Sequence, residues 1–324
     1  MVNISGKFIF IWFSLFCFIT VVPTSSGFGN PSLEPHLLQP EAYSETYGFV
    51  FSMDENSHLV VQLSVSNLGL GDQNGMCRIL YLHNGKSWSF DALYNNEMWS
   101  FTPPASLEMG TCRMSLKGDS LELSAELNKS TFAATLHGNI NVVEPPNHLI
   151  QTSDGFFDQQ ILVRWGKAIL TVDMEDQPPI ESAGFGCMYR FWVTALPPEL
   201  AYRWIKVFGL DETGADLLVV RFPPKQEKAI GWNWFAHSNL PTPAQQLEYD
   251  GKVIKIETSA GKYIITLKEQ LDRHAPVENI GFWGFLVESW IGNPVTYTYL
   301  ATIQSPSSER TKIAVVEIME DEAD

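Results

Sequence analysis

The segment Leu59-Val60-Val61-Gln62-Leu63-Ser64-Val65-Ser66 decides the class of this fold. Leu59, Val61, Leu63 and Val65 occupy alternate positions, with Val60, Gln62, Ser64 and Ser66 between them. A period of two puts one set of side chains on a core and the other toward water, as in an antiparallel strand. The alternation returns at Leu121, Leu123, Ala125 and Leu127, at Ala168, Leu170, Val172 and Met174, and at Tyr263, Ile265 and Leu267. Asn84-Gly85 and Asp250-Gly251 separate strand-like runs and suit tight hairpin turns, which need positive φ angles. Lys117-Gly118-Asp119 and Asp54-Glu55-Asn56 are looser turns. Successive hairpins predict an all-β chain, either an up-and-down barrel or a sandwich. A single helix is expected over Glu199–Phe208, behind Pro197-Pro198, and Lys268–His274 fits helix or strand.

Of 324 residues, 45% are hydrophobic and 18% charged, which excludes wholesale disorder. The balance of 37 acidic against 21 basic residues gives a net charge of −16. Nucleic acid is therefore excluded as a partner and an anionic membrane as the main one, since both call for dense Lys and Arg. Transient contact with a membrane stays compatible with the composition.

Lys7 precedes the uncharged run Phe8–Val22 and the exit Pro23-Thr24-Ser25-Ser26-Gly27. This is the pattern of a secretory signal peptide over 1–27, and the run is shorter than the roughly 20 apolar residues of a membrane span. The protein is expected to be exported, to a periplasm, a secretory lumen or the outside; an uncleaved N-terminal anchor is the alternative. Beyond Cys17 the chain keeps Cys77, Cys112 and Cys187. Cys77 and Cys112 sit in matched contexts, Gly-Met-Cys-Arg and Gly-Thr-Cys-Arg. An exported chain can bridge them, and two buried thiols fit equally well.

A boundary is expected at Glu144-Pro145-Pro146-Asn147, where strand pairing should lapse, giving halves of 28–146 and 150–324. The acidic end, Glu317 to Asp324, reads as a solvated tail. The Gly69–Gly75 stretch superficially suggests a phosphate cradle, but it leads into the strand-like Arg78–Leu82 with no helix behind it, and it reads as a wide turn. No Gly-x-Ser-x-Gly, His-Glu-x-x-His or Cys-x-x-Cys is present, and the seven His are scattered, so neither metal nor cofactor is implied.

What stands out is aromatic clustering: Gly184-Phe185-Gly186-Cys187-Met188-Tyr189-Arg190-Phe191-Trp192, Gly231-Trp232-Asn233-Trp234-Phe235, and Gly281-Phe282-Trp283-Gly284-Phe285 with Glu288 and Trp290 behind it. On a strand, Trp232 and Trp234 share a face, where they can line an apolar ligand cavity in the second half or simply fill a core.

At these clusters the sequence resembles the AttH/CrtC-like, lipocalin-related superfamily, which includes carotenoid hydratases, fungal survival-factor proteins and decalin-forming cyclases. Glu45-Thr46-Tyr47-Gly48-Phe49 is similar to the family's acidic–aromatic first strand, and Leu59–Asn67 with Leu68-Gly69-Leu70-Gly71-Asp72 to a strand ending in Ser-Asn and a Gly-Asp turn. Gly184, Met188 and Trp192 fall on a Gly-x-Ala-Tyr-Met-Asp-His-Glu-Trp type segment, and Gly231–Phe235 on the aromatic strand after it. The resemblance implies two tandem lipocalin-like antiparallel β-barrel domains and an apolar ligand. It also exposes a departure: Tyr189 and Arg190 stand where the hydratases have Asp and His, and Phe191 where they have Glu. An acid–His pair can protonate an olefin and place a water; Tyr and an always-charged Arg cannot readily do both. Glu181 or Glu288 could substitute if brought inward.

The reading is a binding protein that holds a lipid-, isoprenoid- or polyene-like molecule. Its expected contacts are Tyr189, Arg190, Trp192, Trp232, Trp234, Trp283 and Glu288, with Tyr47 from the first half. Arg190 could receive a ligand carboxylate or phosphate, or form a structural ion pair. The alternatives are a cyclase or isomerase that acts by confinement, and a sugar-binding sandwich with an open Trp platform.

Overall fold

The computed structural model describes residues 33–321, apart from 55–56, 69–71, 104, 141–147, 176, 224–228, 235–240, 245, 260, 276–291 and 307–309. The expected signal segment, the Pro145-Pro146 boundary, Trp283 and Glu288 lie outside these residues.

Two antiparallel sheets account for nearly all of the structure, as the alternation predicted. The first is built from β1 (Ser44–Asp54), β2 (Ser57–Ser66), β3 (Asn74–His83), β4 (Lys86–Tyr94), β5 (Trp99–Thr102), β6 (Ser106–Met109), β7 (Cys112–Lys117), β8 (Ser120–Leu127), β9 (Ser130–His137), β10 (Ile150–Gln151), β11 (Phe156–Asp173) and β12 (Ile180–Val193). Its order is β4-β3-β2-β1-β12-β11-β9-β8-β7-β6-β5, with β10 beside β11. After one helical turn, α1 (Pro197–Leu200), come β13 (Arg203–Asp211), β14 (Gly214–Phe222), β15 (Ile230–Trp234), β16 (Thr242–Pro243), β17 (Gln246–Tyr249), β18 (Val253–Thr258), β19 (Gly261–His274), β20 (Pro294–Gln304) and β21 (Thr311–Asp321). These form the second sheet, in the order β16-β15-β14-β13-β21-β20-β19-β18-β17.

The turn chemistry is as expected where it is described. Asn84 and Gly85 take φ values of 51° and 74° between β3 and β4, the twist-matched geometry of a two-residue hairpin. At Asp250-Gly251 the Asp250 carboxylate accepts the Lys252 and Val253 amides at 2.9 and 2.7 Å.

Each sheet curls around its own core. In the first, Phe49, Phe51, Leu63, Ile79, Phe132 and Leu170 meet inside; in the second, Ile205, Val207, Leu218, Ile256, Ile265 and Ile303 do. Phe90 of β4 meets Phe132 of β9 edge-on at 5.4 Å, bringing distant parts of the first sheet together. Cys77 of β3 and Cys112 of β7 are bridged, their Cα atoms 6.6 Å apart, so the disulfide ties two non-adjacent strands across the barrel. Cys187 is free and buried.

A third core lies between the sheets. It draws Val50, Val60, Leu80, Ile161 and Tyr189 from the first and Trp204, Phe208, Leu217, Val219, Trp232, Trp234 and Val315 from the second. This layer explains where the sequence misleads. The helix expected over Glu199–Phe208 is one turn followed by β13, because Trp204 and Phe208 enter the layer while Ile205 and Val207 enter the second barrel. A strand buried on both faces loses its alternation. Lys268–His274 continues β19, and two register shifts there, at Leu267/Glu269 and Gln270/Asp272, scramble the period. Glu317 belongs to β21 and is buried, not part of a solvated tail, because β21 sits centrally between β13 and β20. The first sheet also runs on past 146: β11 and β12 pair with β9 and β1, and the chain changes sheets after Val193.

Candidate functional site

The layer between the sheets holds a polar row inside an aromatic wall. Across the first sheet, cross-strand register aligns Ile161, Tyr189, Gly48, Gln62, Arg78 and Asp91. Across the second it aligns Trp232, Val219, Lys206, Glu317, Thr298 and Asp272. The rows meet through two polar contacts. Gln62 Nε2 donates to Glu317 Oε1 at 2.8 Å, and Arg78 Nη2 to Asp272 Oδ2 at 2.5 Å. Arg78 Nη1 also donates to Gln62 Oε1 at 3.4 Å, which fixes the Gln62 amide so that its nitrogen faces Glu317 and Tyr189.

Tyr189 is fully buried, its ring stacked on Phe208 with centroids 5.0 Å apart. The ring covers Gly48: a Cβ there would lie 2.0 Å from Tyr189 Cζ. Gln62 Nε2 donates to the Tyr189 hydroxyl at 3.3 Å. Burial first, and the Glu317 charge second, push that hydroxyl well above the ordinary phenol range, so it keeps its proton.

Lys206 is the cation at the centre. Its Nζ stands 3.9 Å from the Phe191 ring centroid and 5.4 Å from that of Tyr189, and among the described residues it makes no hydrogen bond or ion pair. Glu317 is its cross-strand neighbour, but that carboxylate turns to Gln62. Burial lowers the Lys206 pKa; Glu317 works against that lowering and Arg78 with it. Lys206, Phe191 and Gln62 are half-buried, and each keeps some accessible surface.

The structure divides the expected site. Tyr189, Trp232 and Trp234 are together in the layer. The two tryptophans do share a face, but that face turns toward the first sheet. The opposite face carries Asn233, whose Nδ2 donates to Tyr263 in the second barrel at 2.9 Å. Arg190, Trp192 and Tyr47 point the other way, because consecutive residues of β12 face opposite sides of the sheet. Arg190 Nε donates to Glu45 Oε1 at 2.5 Å, both residues are buried, and its Nη2 reaches Glu34 O at 2.8 Å. The His36 ring lies 4.5 Å from that of Trp192, and Tyr47 donates to Leu33 O at 2.7 Å. Arg190 is therefore engaged in a structural ion pair that pins the 33–38 segment to the first barrel. Burial opposes ionisation of Glu45, but the His36 hydrogen bond, the Arg190 charge and the Tyr43 hydroxyl outweigh it and hold the carboxyl at about 2. Glu181 is exposed on β12. No group of three or more metal-ligating side chains occurs among the described residues, and no helix there is long and apolar enough to cross a membrane.

Sequence reasoning missed Lys206, Gln62, Arg78 and Glu317. Their signal was a lone charged or amide side chain inside an apolar strand, as in Trp204-Ile205-Lys206-Val207-Phe208 and Val315-Val316-Glu317-Ile318-Met319.

No protein-family model and no curated relative matches the sequence. Solved structures do. An AttH protein from Nitrosomonas europaea superposes with a TM-score of 0.64 at 10% identity, over 89% of this chain and 97% of that one. CghA superposes with a TM-score of 0.62 at 10% identity, over 91% and 96%. Its complex with Sch210972 gives 0.61 at 9%, over 88% and 90%. At such identity the likeness establishes a shared fold, the fold that the AttH/CrtC-like resemblance implied.

Proposed function

We propose that this protein binds a hydrophobic small molecule in the layer between its two sheets. One observation carries the reading: the layer brings aromatic side chains from both sheets together with the half-buried Phe191, Gln62 and Lys206, a mainly apolar lining with a few polar groups. A polar row crossing such a layer is costly to keep unless it positions something, since apolar residues of equal volume would serve stability as well. Trp204, Trp232 and Trp234 lie in the same layer. Native mass spectrometry of the purified protein, with organic extraction of what it retains, tests the proposal. Retained apolar material, together with a tryptophan fluorescence change on titration with a long-chain ligand that weakens in Trp232→Ala, is the expected result. Unchanged fluorescence across apolar ligands of several lengths refutes it.

A second reading, a cyclase or isomerase acting by confinement, is favoured by the shared fold with CghA, crystallised with Sch210972. We propose further that the protein is exported; the buried Cys77–Cys112 bridge suits an oxidising compartment.

A further inference from the structure

The hydrogen-bond inventory of the layer is unbalanced toward donors. Gln62 uses both amide hydrogens, on Glu317 Oε1 and on the Tyr189 oxygen, and Arg78 holds it in that orientation. Tyr189 therefore accepts a bond, and its own hydroxyl hydrogen has no acceptor among the described residues. Lys206 has three donors and meets only ring faces. The buried Trp234 Nε1, on the same face of the second sheet, is also without a partner among the described residues. Among the described residues, Gln159 Oε1 and Thr298 Oγ1 are buried atoms with lone pairs and no hydrogen-bond partner on the same side, fewer than these donors. Leaving a buried donor unsatisfied costs more than a made hydrogen bond gains, so such a surplus marks a place for an acceptor.

Resting on the reading that the layer binds a hydrophobic molecule, we infer that its ligand carries an oxygen acceptor, a carboxylate or a carbonyl, received by Lys206 Nζ and the Tyr189 hydroxyl. The aromatic walls then hold the apolar body. Phe191, 3.9 Å from the ammonium, shields that contact from water, which strengthens it.

The test compares three probes of equal chain length, hexadecanoate, a long-chain methyl ketone and hexadecylamine, titrated below their aggregation concentrations and read by tryptophan fluorescence. The acid or the ketone is expected to bind at least about 10-fold more tightly than the amine, as one charge-assisted hydrogen bond implies. Lys206→Met should erase that preference while leaving the amine unaffected or improved, and Tyr189→Phe should weaken the ketone. Acid above ketone assigns a carboxylate; parity assigns a carbonyl. Thermal melting of both variants checks that they fold, and Lys206→Met removes a half-buried cation with no ion pair among the described residues, so its melting point should hold or rise. If all three probes bind alike and Lys206→Met changes nothing, the donors are satisfied by water and the inference is overturned while the binding layer stands. If none of the probes binds, the layer itself is misread.

Discussion

Replacing Gly48 with alanine puts a methyl where the Tyr189 ring lies. The added Cβ would stand 2.0 Å from Cζ and 2.4 Å from both Cε1 and the hydroxyl oxygen, against an ordinary contact of 3.4 Å or more. The ring must retreat by about 1.4 Å, the difference between those distances. It cannot do so freely, because Phe208 is stacked against it and its hydroxyl is tied to Gln62. Overpacking of this kind costs about 1–3 kcal/mol, and losing the Gln62 contact about 1 kcal/mol more. Alanine's better strand propensity returns about 0.5–1 kcal/mol. The expected net loss is about 2 kcal/mol, measured from urea unfolding followed by tryptophan fluorescence. The decisive comparison repeats Gly48→Ala in a Tyr189→Ala background, where the methyl has room and should be neutral or stabilising. A cost that is the same in both backgrounds would show that Tyr189 does not lie over Gly48, and with it the geometry of the polar row would fall.

Removing the Cys77–Cys112 bridge, by replacing both with alanine, should destabilise the fold by about 4 kcal/mol from loop-closure entropy over its 35-residue separation, read as a lower urea midpoint without reductant; an unchanged midpoint refutes the staple. Glu45 is held at about 2 in the fold against 4.5 in the unfolded chain, so its contribution is complete above pH 4.5 and disappears as pH falls toward 2. That loss, on the order of 3 kcal/mol, should flatten in Glu45→Gln when stability is followed from pH 5 to 2.5, and an unaltered slope refutes the assignment. N-terminal sequencing of the mature protein should begin near Gly27 or Phe28, and recovery of an intact Met1 form from the soluble cytoplasm refutes export.

The strands most legible in the sequence are those with one wet face. In β8, Leu121, Leu123, Ala125 and Leu127 are buried between partly or fully exposed Glu122, Ser124 and Glu126; in β11, Ala168, Leu170 and Val172 are buried while Lys167, Ile169 and Thr171 are exposed. Hairpin glycines and the matched cysteine contexts were equally local signals. The site was only partly legible. Tyr189, Trp232 and Trp234 announced themselves by clustering, but nothing in the sequence said that β12 sends Tyr189 and Arg190 to opposite faces. Nor did it say that the aromatic face of β15 turns toward the other sheet. Lys206 was hidden inside a segment read as helix, and Glu317 inside a tail.

Those failures have one cause, and it locates the site. A strand loses its period of two where a second layer covers its outer face. That happens on β1 and β3, at the Cys187–Arg190 part of β12, and on β13, β14 and β21, while β2 is covered on both faces yet keeps its alternation through Gln62, Ser64 and Ser66. These are the strands that supply the layer between the sheets. Within them a charged residue no longer marks the wet face, because there is none; it must be paired, or face open space, or receive something. Arg78 and Glu317 are paired, by Asp272 and Gln62. Among the described residues Lys206 has no such partner, and it keeps some accessible surface. Lipocalin-like barrels ordinarily offer their interiors to ligands, but here both barrel interiors are packed with aliphatic and aromatic side chains. Lys206, a cation of these covered strands with neither ion pair nor hydrogen bond among the described residues, therefore points to the interface between the barrels, and a search for the proposed ligand should begin there.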